Sequence, residues 1–240
     1  MKKAIQLYSV RDHIKTGEDM LNVLGRVKEI GYEGVEFAGY FGLSAEVLKK
    51  RLDELGLKAV GTHMGLENYV PEKIEETIRF HKILDCNLIG LGGAPTRPGP
   101  VLKHTCSILK KANEIAEKEG MRVYFHNHQE EFKPLMGGVI PIEKLKEACY
   151  LQLDTYWSFC AGIDNEKFLT ENSDRIVHIH LKDGIDAKPL ALGEGEADLA
   201  TVIKTAKKIG LDWVIVENDN PTPTGLEDIA RSMEFLNKNM

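Results

Sequence analysis

Short apolar segments alternate with amphipathic helical patterns along the whole of this chain, and this alternation limits the possible folds more than any other feature. The apolar segments are typical of buried strands, because each is a short run bounded by polar or turn-forming residues. They begin near Ala4, Gly34, Lys58, Leu88, Met121, Tyr150, Ile176 and Trp213. Successive starts lie about thirty residues apart, which is the size of a βα unit. The pattern predicts a parallel sheet covered by helices.

The helical patterns often stop at a glycine, and the next strand follows one or two residues later. This phrase recurs at Gly31, Gly56, Gly120 and Gly210. Glycine is common just past a helix because it adopts the left-handed backbone conformation at little cost. The recurrence indicates a weak internal repeat of one unit type.

A parallel sheet of this kind could close into a barrel or remain open and doubly wound. Open sheets usually carry a glycine-rich turn after the first strand, whereas residues 9–12 of this chain read Ser-Val-Arg-Asp. Chemically active groups at the ends of many strands favour the barrel. Three long loops, 92–100, 128–141 and 183–198, also follow predicted strands. With no linker or shift in composition, we expect residues 1–240 to form a single (β/α)8 TIM barrel.

Charge and cysteine content narrow the classes of function. The net charge is −6 and the pI about 5.8, which argues against nucleic-acid binding. Four scattered cysteines show no paired spacing for zinc or redox chemistry, so we expect reduced thiols in a cytosolic protein. We see no signal peptide and no stretch long enough to span a membrane. These features predict a cytoplasmic protein.

Four apolar runs in the second half of the chain end on groups that bind metals or move protons. The groups are His126 and His128, Asp154, His178 and His180, and Glu217. Such groups are costly at the ends of buried strands unless they are paired or coordinated. Parallel strands bring their carboxyl ends to one face, so the runs predict a single site. Mixed histidine and carboxylate ligands suit a borderline divalent ion such as Mn²⁺, Zn²⁺, Fe²⁺ or Co²⁺.

The earlier strands add further polar ends at Gln6, Glu36 and His63. In a barrel these side chains would face the same mouth and could bind substrate hydroxyls, although roles as strand-end caps or internal ion pairs are equally open. Lys182 and Asp183 could pair with each other or hold a substrate oxygen. We expect three further histidines on helices or loops to be solvated: His13, His81 and His104.

Several phrases together resemble the xylose isomerase-like barrel superfamily, the sugar phosphate isomerase/epimerase group with its inosose dehydratase and endonuclease IV relatives. They lie at residues 5–12, 31–37, 126–128 with 131–132, 153–155, 178–183, 192–195 and 216–217. They span essentially the whole chain in order. As a set they are specific for the superfamily but not for a substrate.

The resemblance implies a metal site built from Glu, Asp, His and Glu on the last four strands. Asp154, His180 and Glu217 match the last three positions. At the first position this chain departs from the pattern, because its strand ends on His126-Asn127-His128. We favour His126 as the ligand, since Asn127 then matches an Asn found in some relatives. His128 would be free to act as a base, and the two histidines could exchange roles.

By the same resemblance, the chain is expected to be a sugar isomerase or epimerase with one divalent ion, Mn²⁺, Zn²⁺, Fe²⁺, Co²⁺ or Mg²⁺. Glu217 and His128 would exchange protons beside a metal-bound carbonyl, and Gln6, Glu36, His63 and Lys182 would bind a neutral sugar or polyol. An inosose dehydratase or a non-catalytic sugar-binding barrel is the alternative. An endonuclease is disfavoured, because the family's histidine three residues after Asp154 is absent. Homo-oligomerisation is left open.

Overall fold

Eight parallel strands close into a barrel in the computed structural model, which describes residues 1–240. The barrel strands are β1 (Lys2–Gln6), β2 (Gly34–Ala38), β3 (Lys58–His63), β4 (Leu88–Leu91), β5 (Arg122–His126), β6 (Tyr150–Asp154), β7 (Ile176–Leu181) and β10 (Trp213–Val216). A small antiparallel hairpin follows β7 and consists of β8 (Asp183–Ile185) and β9 (Lys188–Leu190). The predicted (β/α)8 TIM barrel is confirmed.

Nine α-helices connect the strands and cover the outside of the barrel. They are α1 (Gly17–Ile30), α2 (Ala45–Leu55), α3 (Ile74–Ile83), α4 (Gly99–Lys118), α5 (Pro141–Ala148), α6 (Thr155–Cys160), α7 (Asn165–Glu171), α8 (Leu199–Lys208) and α9 (Gly225–Asn239). Short 3-10 helices span Leu7–His13, Leu66–Asn68 and Gln129–Phe132. None of the helices combines the length and apolar character needed to cross a membrane.

Local sequence signals explain where these helices begin and end. Helix α1 starts at a capping box, in which Thr16 and Asp19 each accept a hydrogen bond from the other's backbone N–H. Such a box satisfies two backbone donors that a helix start would otherwise leave unpaired. The helix stops at Gly31, whose φ of 112° lies in the left-handed region. Gly56 ends α2 in the same way, with a φ of 63°.

The core lies between the outer helices and the strands and contains a cluster of 50 buried hydrophobic residues. Strand register then determines which polar groups meet inside the barrel. Asp154 lies opposite His180, and Gln6 lies opposite Glu36. Since alternate residues of a strand point into the barrel, these polar groups gather at its carboxyl end.

Asp183 organises the loop after β7 instead of pairing with Lys182. Its carboxylate accepts hydrogen bonds from the backbone N–H groups of Gly184, Gly193, Gly195 and Ala197. A Cβ at Gly195 would lie 2.2 Å from Asp183 Oδ1, so only glycine allows the loop to approach so closely. Asp183 therefore ties residues 193–197 to the end of the barrel.

His81 is buried, so the expectation that it is solvated was wrong. It lies on α3 with a relative exposure of 1%. The Nδ1 atom is 2.7 Å from the carbonyl oxygen of Thr77, and Nε2 is 2.7 Å from the hydroxyl of Tyr40. Burial without a charged partner lowers the pKa of His81 to about 4. The imidazole is therefore neutral and serves as a hydrogen-bonding core residue.

Candidate metal site at the carboxyl mouth of the barrel

Four side chains from four adjacent strand ends meet at the carboxyl mouth: His126, Asp154, His180 and Glu217. Their potential ligand atoms all lie within 4.8 Å of one another, and all four residues are buried. His126 Nε2 lies 3.7 Å from Asp154 Oδ2 and 3.9 Å from Glu217 Oε2. His180 Nδ1 lies 2.9 Å from the same Glu217 oxygen. The cluster thus has two imidazole nitrogens facing two carboxylates.

Local hydrogen bonds fix the orientation of Asp154. Its Oδ1 caps α6 by accepting from the N–H groups of Tyr156 and Trp157, at 3.0 and 2.8 Å. Its own N–H donates to Asn127 Oδ1. Asp154 Oδ2 is buried without a hydrogen bond and faces the cluster. Lys182 Nζ lies 2.8 Å from this oxygen without hydrogen-bonding geometry, and a carboxylate oxygen can accept more than one partner, so a metal ion could bind it as well.

His126 presents an uncharged nitrogen to the cluster. Burial, reinforced by nearby His180, holds the pKa of His126 well below its usual range. Its Nδ1 lies 3.1 Å from Gln152 Oε1, and its Nε2 faces Asp154 and Glu217. An imidazole hydrogen-bonded at one nitrogen can offer the lone pair of the other to a metal.

His180 lies between two carboxylates on opposite sides of its ring. Its Nε2 is 2.5 Å from Glu36 Oε2, and its Nδ1 faces Glu217. Burial alone would lower the pKa of His180, but Glu217 and Glu36 together raise it to about 10. A metal ion at Nδ1 would therefore take the place of a proton that the two carboxylates hold strongly.

This donor set fits a divalent metal ion. Two imidazole nitrogens and two carboxylate oxygens match the ligands of borderline ions such as Zn²⁺, Fe²⁺, Co²⁺ and Mn²⁺. Asp154 Oδ2, which accepts no hydrogen bond, faces the space that the four residues share. Of the two histidines at the end of β5, His126 belongs to the four-residue cluster and His128 does not.

Lys182 lies beside the cluster, where we had expected it to bind substrate. Its Nζ is 2.7 Å from Glu217 Oε2 and 2.8 Å from Asp219 Oδ2. It also lies 2.8 Å from Asp154 Oδ2, though not along a hydrogen-bonding direction. Burial opposes its charge, but these carboxylates raise the pKa of Lys182. The side chain is fully buried, so it acts here as an internal counter-ion.

We expected Gln6 and Glu36 to face the open mouth of the barrel. Both side chains instead lie beneath the cluster. Both have a relative exposure of 0%, and Gln6 Nε2 donates to Glu36 Oε2 at 2.8 Å. His63 is partly buried, with its Nε2 2.8 Å from Gln152 Oε1. Burial lowers the pKa of His63. Glu36 bonds to Tyr124 and Gln152, each of which precedes a cluster residue by two positions on its strand, so Glu36 lies one layer deeper than the cluster.

His128 lies at the exposed rim. Its ring centroid is 5.0 Å from that of His126 and 6.5 Å from that of Trp157. Its backbone N–H donates to Glu131 Oε2 at 2.8 Å. The imidazole is thus held beside the cluster without being part of it.

Sequence reasoning missed four residues of this site: Tyr124, Gln152, Trp157 and Asp219. Gln152 and Tyr124 each precede a ligand by two positions on the same strand, a spacing that places both on one face. This alternation could have identified them. Asp219 lies beyond the end of β10, and its contact with Lys182 depends on the path of the loop.

Several sizeable cavities do not coincide with the cluster. One of about 570 Å³ opens at the opposite, amino-terminal end of the barrel, between Lys58, Arg122, His178 and Trp213. No member of the cluster lines it. The convergence of ligand groups, and not cavity size, therefore locates the candidate site.

Comparisons with known proteins agree with this architecture. The sequence profile of the xylose isomerase-like TIM barrel family matches residues 24–239. A comparison with curated proteins gives no significant match.

Similar structures share the fold at low sequence identity. A sugar phosphate isomerase/epimerase from Parabacteroides distasonis is 24% identical, with a TM-score of 0.80, covering 98% of this chain and 93% of that one. The IOLI protein with a binding zinc atom is 16% identical, with a TM-score of 0.78 and coverage of 100% and 99%. A probable 3-DHS dehydratase, AsbF from Bacillus anthracis, is 15% identical, with a TM-score of 0.78 and coverage of 99% of each chain. This chain belongs to the xylose isomerase-like TIM barrel family.

Proposed function

We propose that this chain is a sugar isomerase or epimerase that uses one divalent metal ion and moves a proton on the carbon next to a carbonyl. The observation that carries the proposal is the convergence of His126, Asp154, His180 and Glu217 within 4.8 Å. Membership of the xylose isomerase-like family supports it, as does the isomerase/epimerase of the same fold.

The metal would be held by His126 Nε2, Asp154 Oδ2, His180 Nδ1 and an oxygen of Glu217. The two imidazoles favour Zn²⁺, Fe²⁺, Co²⁺ or Mn²⁺ over Mg²⁺, which prefers an all-oxygen shell. When bound, the ion would polarise the substrate carbonyl and make the neighbouring C–H bond more acidic.

Glu217 is the proposed base. Burial alone would raise its pKa, but Lys182 and His180 hold the pKa of Glu217 well below its usual range. The carboxylate is therefore ionised and able to accept a proton. Its hydrogen bonds to His180 and Lys182 both use Oε2, which leaves Oε1 for the substrate.

His128 is the proposed second acid–base group, because it lies at the rim beside His126. An exposed imidazole can act as either a proton donor or a proton acceptor. The ring of Trp157 supplies an apolar wall on the same side. If Glu217 removes a proton and His128 returns one, the configuration of the carbon would be inverted or the hydrogen would move to the neighbouring carbon.

We infer that the substrate is an uncharged sugar or polyol. Two arginines on the carboxyl side, Arg11 and Arg97, donate to the backbone carbonyls of Tyr8 and Asp219, and of Glu130 and Lys133, respectively. A third, Arg231, donates to Glu194 and to the carbonyl of Thr222. Lys182 is surrounded by carboxylates. These cations are already paired, whereas a phosphate group needs cationic or N–H donors.

Elimination of water from a keto-polyol is the second candidate reaction. It begins with the same proton abstraction by Glu217, and His128 at the rim is placed to protonate a departing hydroxyl. The dehydratase of the same fold supports this alternative.

Hydrogen exchange from heavy water tests the proposal. The chain, loaded with Zn²⁺, Co²⁺ or Mn²⁺, is incubated with ketose/aldose pairs and inososes in D₂O, and products are analysed by mass spectrometry. We expect deuterium beside the carbonyl, with loss of water only if the chain is a dehydratase. Glu217→Gln should lower exchange by roughly a hundredfold or more, whereas exposed Glu130→Gln should not. Unchanged exchange in Glu217→Gln would contradict the assignment, and metal binding without exchange of any substrate would favour a sugar-binding barrel.

A further inference from the structure

A buried layer of polar side chains lies directly beneath the metal-ligand cluster, and Glu36 is at its centre. Four donors surround the Glu36 carboxylate. Gln6 Nε2 and His180 Nε2 bond to Oε2 at 2.8 and 2.5 Å, and Gln152 Nε2 bonds to Oε1 at 2.8 Å. The hydroxyl of Tyr124 also donates to Oε1. Glu36 is fully buried, so these groups, and not solvent, determine its environment.

The first consequence concerns His180. A carboxylate at Nε2 only accepts hydrogen bonds, so Nε2 must carry a proton. Nδ1 faces the Glu217 carboxylate at 2.9 Å in the same way, but Glu217 would bind the metal and Glu36 would not. Once an ion has displaced the Nδ1 proton, Glu36 keeps His180 protonated at Nε2 and leaves the lone pair on Nδ1. Glu36 therefore selects the nitrogen that His180 offers to the metal.

The second consequence reaches His126 through Gln152. Because the Glu36 carboxylate cannot donate, the side-chain amide of Gln152 must turn its NH₂ group towards Glu36. Its carbonyl oxygen then points the other way, 3.1 Å from His126 Nδ1. An amide oxygen also only accepts, so Nδ1 carries the proton and Nε2 is left with the lone pair. That Nε2 faces Asp154 and Glu217.

We propose that Glu36 is the positioning residue of the metal site, fixing His180 directly and His126 through Gln152 so that the site binds through His180 Nδ1 and His126 Nε2. This inference rests on the proposed function. It replaces the expected role of Glu36 in binding substrate hydroxyls, because a buried and fully hydrogen-bonded carboxylate has no free acceptor for a substrate. Partners that orient metal-binding histidines typically contribute 10- to 100-fold to metal affinity.

Metal affinity measured in the absence of substrate tests this proposal. Zn²⁺ and Co²⁺ affinities are determined by competition with a chromophoric chelator for the wild type, Glu36→Gln and Gln152→Leu. We expect roughly a 10- to 100-fold loss in Glu36→Gln, because an amide at position 36 can donate to His180 or to Gln152 and so no longer fixes the proton position on His180 or the orientation of the Gln152 amide. Gln152→Leu should weaken binding less, because His126 is the only one of the two ligand histidines that it frees. If Glu36→Gln fails to fold, the metal affinity of Gln152→Leu still tests whether Gln152 positions His126.

Asn113→Leu is the matched control. Asn113 is buried and accepts the N–H of Val123 on β5, the strand that carries His126, but it does not touch the layer around Glu36. We expect this variant to lose thermal stability and keep its metal affinity. An equal loss of affinity in Asn113→Leu would show that Glu36 acts only through general stability and would overturn the proposal.

Imidazole ¹⁵N NMR of the Zn²⁺-loaded chain gives a second readout. We expect one histidine bound through Nε2 and one through Nδ1, and a changed pattern in Glu36→Gln. Two histidines bound through the same type of nitrogen, or wild-type affinity in Glu36→Gln, would contradict the inference while leaving the metal site intact. A wild-type chain that binds no ion would instead contradict the proposed function.

Discussion

Replacing Lys182 by methionine tests the charge balance of the site. The substitution shortens the side chain by one atom and removes an ammonium group that lies 2.7–2.8 Å from Asp154, Glu217 and Asp219. At 2.8 Å and an effective dielectric constant of about 20, one such pair is worth about 6 kcal/mol before desolvation is subtracted. Removing one partner of a buried ion pair costs about 3–5 kcal/mol in practice. For a chain of this size that lowers the Tm by about 6–20 °C.

Thermal unfolding of Lys182→Met, with a chelator and with saturating Zn²⁺ or Co²⁺, measures this effect. We expect the metal to stabilise the variant more than the wild type, because the ion would supply positive charge to Asp154 and Glu217, which the variant leaves unpaired. Lys49→Met is the control, since Lys49 pairs with Asp53 on the surface of α2. Exposed pairs of this kind contribute about 1 kcal/mol or less.

Two results would refute this reasoning. In the first, Lys182→Met without metal would unfold at the wild-type temperature, and the buried charges would then need no counter-ion. In the second, metal would raise the Tm of both proteins by the same amount, and the lysine and the ion would then act on different carboxylates.

Two further predictions concern residues outside the metal cluster. The pKa of His81 falls from 6.5 to about 4 on folding. Below pH 6.5 the imidazole is therefore protonated in the unfolded chain but still neutral in the folded chain. The free energy of unfolding should fall by about 3 kcal/mol between pH 6.5 and 4. Urea unfolding should show a loss that is smaller by about this amount in His81→Gln than in the wild type, and equal acid sensitivity of the two would contradict the prediction. Asp183→Ala removes the acceptor of four backbone N–H groups, so limited proteolysis should cut within residues 191–198 faster than in the wild type. Equal cleavage rates would show that this loop is held by other contacts.

The strands and the barrel could be predicted from the sequence because hydrophobic periodicity is a local property. Strand β5 was expected near Met121 and begins at Arg122, and β6 was expected at Tyr150 and begins there. The ends of β5, β6 and β7 place His126, Asp154 and His180 at one mouth by topology alone. Those three residues therefore converge as the pattern of strand ends indicated.

The depth of a side chain inside the barrel could not be predicted in this way. Alternation shows that Glu36 points inwards, but the shear and register of a closed barrel decide whether it reaches the mouth or the layer beneath. In this chain the Glu36 carboxylate meets Tyr124 and Gln152, which lie under the cluster. Lys182 likewise follows a strand end, yet its long side chain turns back to Glu217. Such contacts depend on three-dimensional distances that a single sequence does not contain.

The number of metal ions bound per chain tests the central claim most directly, because it needs no knowledge of the substrate. Purified protein is saturated with Zn²⁺ or Co²⁺, dialysed and analysed by elemental mass spectrometry beside a variant that carries His126→Ala and Asp154→Ala. Circular dichroism confirms that both are folded. The account predicts one ion per wild-type chain and none in the folded variant. A wild-type chain that retains no ion, or a variant that retains as many as the wild type, would contradict it.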